Sequence, residues 1–378
     1  MIKAIYLNFT EHFSKAAIKL KEEKIIEPVY WITSDYNEKL VADNFTDCIF
    51  HDVHDAIKCI HPKNINDNIQ VTLDEPLLKK MSYNESICLN MMNRNDAAKT
   101  FSYYERIETY HTYLKYWYGI LNKFKPQIVI FTEEPHQAFQ YVIYCLCKLL
   151  KIPTIMNSDV VFKGKMLMIE DFEKGPVDVI RYFKTQKINI EKSTILKLPN
   201  YINDYIHSTK DSSSIKRPYY MEKIVLNYEK IKYNKFYFFD IIKKIIKYIN
   251  PFNIYKIIKS FKTSVKNDQA NMIGQFRNIY MTGYENYRIN KKVIEKNKNL
   301  IKYLSKLSIS NPNLKVPYII FTLHYQPEKT TSPMGGQFVD QLLAIELISK
   351  NLPFGWSLYV KEHISQFSVS MFGNATRS

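Results

Sequence analysis

The residues best suited to chemistry fall in two places, each behind an apolar run. The first is the turn Thr132-Glu133-Glu134-Pro135-His136, which follows Gln127–Phe131. A carboxylate or imidazole at the carboxyl edge of a sheet can take a proton from an attacking hydroxyl. Glu134 and His136 are therefore the candidate general bases, with Glu133 and Asp159 behind them. The ordinary role of each is a helix cap or a surface charge. The second place is Leu323–Gly336 together with Lys361-Glu362-His363. Two glycines ahead of a helix let the backbone approach a phosphate, and the amino end of that helix adds partial positive charge. His324 and Gln326 can donate hydrogen bonds from the same loop. Lys361 and His363 end the next strand and can face the same anion from the side. No D-x-D pair lies in a metal-binding setting and no His or Cys residues cluster, so a divalent metal is not indicated.

These residues need a parallel sheet to bring them to one edge. Residues 2–8 read as a strand, Thr10 to about Glu23 as an amphipathic helix, 27–33 as a second strand and 48–50 as a short third. The β-α-β alternation marks a helix-covered parallel sheet. Residues 74–123 read as mostly helical, and their aromatic stripe YYERIETYHTYLKYWYGIL is core material. Gln127–Phe131 is a buried strand, 138–151 a helix and Pro153–Met156 a further strand, after which the chain turns helical and basic. A second α/β unit begins near Val316. It has a strand at Tyr318–Thr322, a loop to Gly336, a helix at Gln337–Lys350 and a strand at Trp356–Val360. A Rossmann-like lobe needs about five or six strands, so this second lobe is expected to be incomplete.

Composition narrows the function. The chain has 378 residues with 46% hydrophobic and 14% aromatic content, enough for two lobes and a connector. Of the formal charge of +16, residues 201–315 hold 23 Lys and Arg against 8 Asp and Glu, a net of 23 − 8 = +15. Charge gathered in one helical-looking segment points to a local anionic partner, a membrane surface, and not to nucleic acid. Within 233–266 two amphipathic helices set Lys243, Lys244 and Lys247, then Lys256, Lys259, Lys262 and Lys266, against Ile- and Phe-rich faces that include Val265. Five cysteines without a C-x-x-C pair argue for reduced, buried thiols. The amino terminus reads as a strand and no apolar run spans a bilayer, so a cytoplasmic protein is expected, peripheral on the inner face of the membrane.

The segment LHYQPEKTTSPMGGQFVDQLLAIELISKNLPFGWSLYVKEH resembles the donor-lobe entry of bacterial capsule polysaccharide biosynthesis proteins, the group that includes the Kdo-transferring enzymes. The likeness rests on Leu323-His324-Tyr325-Gln326-Pro327-Glu328, on Gly335-Gly336, and on Val360-Lys361-Glu362-His363. The turn Glu133-Glu134-Pro135-His136 resembles the strand-end Pro-His of their first lobe. The likeness is close over about 50 residues near the carboxyl terminus, looser over 120–175 and absent from 186 to 315. It implies a two-lobed GT-B glycosyltransferase. Residues 1–185 would be a Rossmann-like acceptor lobe, 186–315 a basic helical connector, and 316–378 the start of a truncated donor lobe. It implies a nucleotide-sugar donor such as CMP-Kdo, bound by His324, Gln326, Glu328, Gly335, Gly336, Lys361 and His363. The acceptor would be a lipid-linked or oligosaccharide glycan. Two alternatives stand beside it: a sugar-nucleotide epimerase of the same architecture, and an inactive remnant that only binds partners.

Overall fold

The computed structural model describes residues 1–8, 11–34, 37–63, 65, 69, 71–93, 101–160, 162, 165–185, 199–210, 264–266, 280–326 and 328–367. The chain is an α/β protein that divides into two compact units. One is Met1–Asn84 with His111–Arg217, the other Glu85–Tyr110 with Pro218–Ser378.

The first unit is built on β1 (Ile2–Leu7), α1 (Glu11–Glu22), β2 (Ile26–Thr33), α2 (Glu38–Asn44), β3 (Ile49–Asp52) and α3 (Val53–Ile57). Two long helices follow, α4 (Glu75–Met92) and α5 (Tyr103–Phe124), of which residues 75–84 and 111–124 belong to this unit. Then come β4 (Ile128–Phe131), α6 (Ala138–Leu150), β5 (Thr154–Asp159), β6 (Met166–Ile169), α7 (Val177–Thr185) and α8 (Asn200–Lys210). The sheet order is β3-β2-β1-β4-β5-β6. All neighbours are parallel except β5 and β6. Strand order reverses between β1 and β4, the Rossmann-like pattern.

Both faces of this sheet are covered, as the alternation of strand side chains requires. On one face Ala4, Tyr6 and Trp31 pack with Ala17 of α1, Val41 of α2 and Phe45. On the other, Tyr30 meets Phe124, and His51 meets Tyr116 and Trp117 of α5. Trp117 in turn meets Phe139 of α6. The aromatic stripe of α5 is core: Tyr110, Tyr113, Tyr116 and Trp117 are all buried. His51 is fixed by two bonds, Nδ1 to the Tyr30 hydroxyl at 2.7 Å and Nε2 to the Ile60 carbonyl at 2.9 Å. A carbonyl only accepts, so the proton sits on Nε2 and the Tyr30 hydroxyl donates to Nδ1. Burial lowers the His51 pKa to about 4.

Two elements depart from the sequence reading. The stretch KGKMLMIEDFEKG after Asn157, expected only to lead into helix, carries a strand before the helix begins. That strand is β6, which runs back along β5 and pairs Asn157 with Met168 and Asp159 with Met166. That partner prolongs β5 to Asp159, which is the last residue of a strand and is exposed. The return is locked onto α6, where the Tyr144 hydroxyl donates to Asp171 at 2.6 Å and Lys148 pairs with Asp171 at 3.4 Å and Glu173 at 2.6 Å. The second departure is at Ser264–Lys266, read as the end of a helix. It forms β7, an antiparallel partner of β8 (Tyr280–Thr282). The rest of 233–266, with Lys243, Lys244, Lys247, Lys256, Lys259 and Lys262, lies outside the described residues.

The second unit also holds α9 (Gly283–Leu307), β9 (Tyr318–Thr322), a 3-10 turn over Gly336–Val339, α10 (Gln341–Lys350) and β10 (Ser357–Lys361). β9 and β10 pair with each other in parallel and take no part in the six-stranded sheet. The α-helix of this unit begins at Gln341, not Gln337.

Candidate functional site

The carboxyl edge of the first sheet is shaped by the ends of β1 and β4. Asn8 takes a left-handed conformation, φ 60°, which turns the chain off β1; asparagine tolerates it better than most residues. Its N–H still donates to the Ile32 carbonyl at 2.8 Å, and its carbonyl accepts from Thr132 Oγ1 at 3.3 Å. The Thr132 N–H donates to the Leu7 carbonyl at 3.3 Å. The two strand ends are thus tied where strand order reverses, the position at which open α/β sheets bind ligands.

The turn Glu133–His136 rises directly from this tie. Glu134 is 3% exposed and Pro135 is buried, while Glu133 and His136 are half-buried. Glu134 is not a surface charge. Nor is it the cap of α6, since Gln137 occupies that position. The turn is pinned from inside the helix: Gln140 Oε1 accepts from the N–H groups of both His136 and Gln137, each at 3.0 Å. Those two donors stand at the amino end of α6, where no helical carbonyl can serve them. Asp159 ends the strand beside β4 and belongs to the same edge, three residues beyond Met156, which pairs with Phe131. On the β2 side the edge carries buried Thr33, whose Oγ1 accepts from Asn37 Nδ2 at 3.1 Å. Asn8, Asn37 and Gln140 did not emerge from sequence reasoning, and Thr132 emerged only as the first residue of the turn, with no role. The one available signal was the Gln137-x-x-Gln140 spacing, a capping-box pattern.

In the second unit the structure brings the two strand ends together. Thr322 pairs with Lys361, and the Leu323 N–H continues the ladder to the Lys361 carbonyl at 2.9 Å. His324 and Lys361 are exposed and His363 is half-buried. The rings of Tyr325 and His363 lie 6.1 Å apart. His363 Nδ1 accepts from the Ser365 N–H at 3.2 Å, so the neutral imidazole carries its proton on Nε2.

Beyond Leu323 the chain is held extended by side-chain amides in place of neighbouring strands. Gln341, 5% exposed, accepts from the His324 N–H at 2.7 Å and donates to the His324 carbonyl at 3.1 Å. Gln366 does the same for Gln326, at 3.2 Å in each direction.

Four of the residues assigned to anion binding have work inside the loop. The Gln326 amide donates to the Val339 carbonyl at 3.3 Å and accepts from Gln341 at 3.4 Å. Glu328 organises the turn that follows: its carboxylate accepts from the Thr330 N–H at 3.2 Å, and its carbonyl from the Ser332 N–H at 2.8 Å. At Gly335 a Cβ would lie 2.5 Å from the Thr331 carbonyl oxygen, and Gly336 has φ +53°. The turn itself requires both glycines. The helix they were read as opening starts five residues after Gly336, behind Asp340, whose carboxylate accepts from the Leu342 N–H at 3.0 Å. A carboxylate stands at the start of that α-helix, and the glycines open onto the 3-10 turn Gly336–Val339, with Gly335 at its cap position. His324, Lys361 and His363 stand at or just beyond the ends of the two paired strands.

Among the described residues no three His, Cys, Asp or Glu side chains group to hold a metal ion. Compared with family models, with curated proteins and with solved structures, the chain matches none.

Proposed function

We propose that the chain is a glycosyltransferase. It moves a sugar from a nucleotide-activated donor to a lipid-linked or growing glycan in the making of bacterial surface polysaccharide. In this reading residues 1–185 are the acceptor lobe of a GT-B enzyme, 186–315 the basic connector and 316–378 the start of the donor lobe. The observation that carries it is Glu134, a carboxylate 3% exposed at the carboxyl edge beside the reversal of strand order. From there it accepts the proton of an acceptor hydroxyl, with His136 as the second base. On the donor side Lys361 and His363, with His324 on the adjacent strand end, offset the charge of the departing phosphate. The likeness of 323–363 to capsule enzymes supports a donor such as CMP-Kdo. The basic segment 233–266 holds the enzyme on the inner face of the cytoplasmic membrane.

Titration of the chain with CMP and UDP nucleotides tests the donor side, and transfer assays test Glu134. Saturable binding of one nucleotide is expected, weakened by Lys361→Ala and His363→Ala. Glu134→Gln is expected to lower transfer by roughly 10²-fold, at the low end for general-base loss. Absence of binding to every nucleotide, or undiminished transfer by Glu134→Gln, overturns the reading.

A further inference from the structure

The helix α7 presents an apolar face that nothing among the described residues of the first unit covers. It begins behind Gly175-Pro176, and no residue from Val177 to Thr185 is buried. Val179 is 51% exposed, and Tyr182 and Phe183 are 68% exposed. By helical periodicity Val179, Ile180, Tyr182 and Phe183 occupy one broad side, with Arg181 and Thr185 opposite and Asp178 and Lys184 at the rims. Three polar contacts of α7 are local. Arg181 pairs with Asp178 at 3.2 Å, the Thr185 hydroxyl donates to the Tyr182 carbonyl at 3.0 Å, and the Ile180 N–H donates to Pro176. Contiguous exposed side chains of this size mark an interaction surface.

We propose that α7 is a lipid-contact element that inserts Val179, Ile180, Tyr182 and Phe183 into the headgroup region of an anionic bilayer. Charge selects this occupant. The chain carries +16, and its basic excess of 23 − 8 = +15 begins at residue 201, soon after α7 ends. Such a chain is drawn to an anionic surface and repelled by a second copy of itself. Aromatic side chains suit the boundary between headgroups and acyl chains, and Lys184 reaches the phosphates from the rim. Contact is superficial: among the described residues no helix is long and apolar enough to cross a membrane. The inference rests on an anionic membrane being the partner, as proposed above for 233–266, and not on sugar transfer.

The test uses the full chain with Phe183→Cys carrying a nitrobenzoxadiazole probe, since the five native cysteines are buried. With vesicles of phosphatidylcholine and phosphatidylglycerol the probe should shift to the blue and brighten. With phosphatidylcholine alone it should not. Ile180→Glu with Phe183→Glu should cut the vesicle-bound fraction by about tenfold without changing thermal unfolding, because the replaced side chains touch no core. If the chain floats with anionic vesicles while the probe is silent, or the double variant binds undiminished, α7 is not the contact and the basic segment alone carries membrane binding. If the chain ignores anionic vesicles at low salt, both membrane readings fall. A probe response that grows with protein concentration in the absence of lipid assigns the face to self-association and overturns the proposal.

Discussion

Gln341 grips the peptide groups on both sides of His324: the His324 N–H donates to Gln341 Oε1 at 2.7 Å, and Gln341 Nε2 donates back to the His324 carbonyl at 3.1 Å. One buried amide thus supplies the two bonds that a neighbouring strand would supply. Gln341→Ala leaves both backbone groups unserved in a half-buried place, a loss of about 1–3 kcal/mol. Hydrogen exchange over Leu323–Gln326 should accelerate while exchange in the six-stranded sheet stays the same. Equal protection in the variant would mean that the strand end holds its own shape.

The turn that carries Glu134 depends on Gln140 in the same way. Gln140→Met keeps the volume of a side chain 2% exposed but removes the acceptor for the His136 and Gln137 N–H groups. A loss of about 1–3 kcal/mol is expected in denaturant unfolding, with transfer reduced as the turn loosens. Rescue of both by Gln140→Glu, which keeps the acceptor oxygens, would tie the effect to those two bonds.

His51 makes acid a specific stress on the first unit. Its imidazole is 0% exposed, and burial lowers its pKa from 6.5 to about 4. The unfolded chain takes up a proton near pH 6.5 that the folded chain refuses until about pH 4. Its contribution to stability is therefore full above the unfolded pKa, is lost as the pH falls through that window, and levels off below it. The loss is on the order of 3 kcal/mol. Denaturant midpoints measured across the window should trace it. A His51 ring that titrates near its ordinary pKa in the folded protein would refute the account.

All five cysteines are free and buried. Burial pushes the Cys48 and Cys145 thiols up to about 12, and Cys59 and Cys147 are also raised. The thiolate is the reactive form, so the native chain should resist iodoacetamide at neutral pH and take up five equivalents once unfolded. Fast labelling of any native cysteine would show that its element opens.

The sequence was most legible where local pattern and final environment agree. Gln127–Phe131 and Tyr318–Thr322 are apolar runs that became strands, and the stripe of α5 became core. It failed where distant groups decide. Met166-Leu167-Met168-Ile169 is an apolar run of only four residues, two of them half or more exposed; pairing with β5 makes it a strand. The start of α10 moved because Gln341 is bonded to a peptide 17 residues away, which no helical period reports. Gly335 and Gly336 suited a phosphate loop by type. The approach of the Thr331 carbonyl to Gly335 and the positive φ of Gly336 give another reason for them to be glycine. Glu134 was named correctly as a residue at the sheet edge, but its burial depends on a pinned turn whose key, Gln140, looked like one more helix residue.

The forward run of β1 also decides where this unit can be handled. β1 sets out from the amino-terminal edge of the sheet two residues into the chain and ends at Leu7, level with Phe131 of β4. Met1 therefore stands before one end of the strand, and Asn8, Thr132 and Glu134 follow the other end and that of β4. β1 is about 20 Å long at ~3.3 Å per residue. An affinity handle or surface tether attached at Met1 would leave the carboxyl edge of this sheet pointing away from the support.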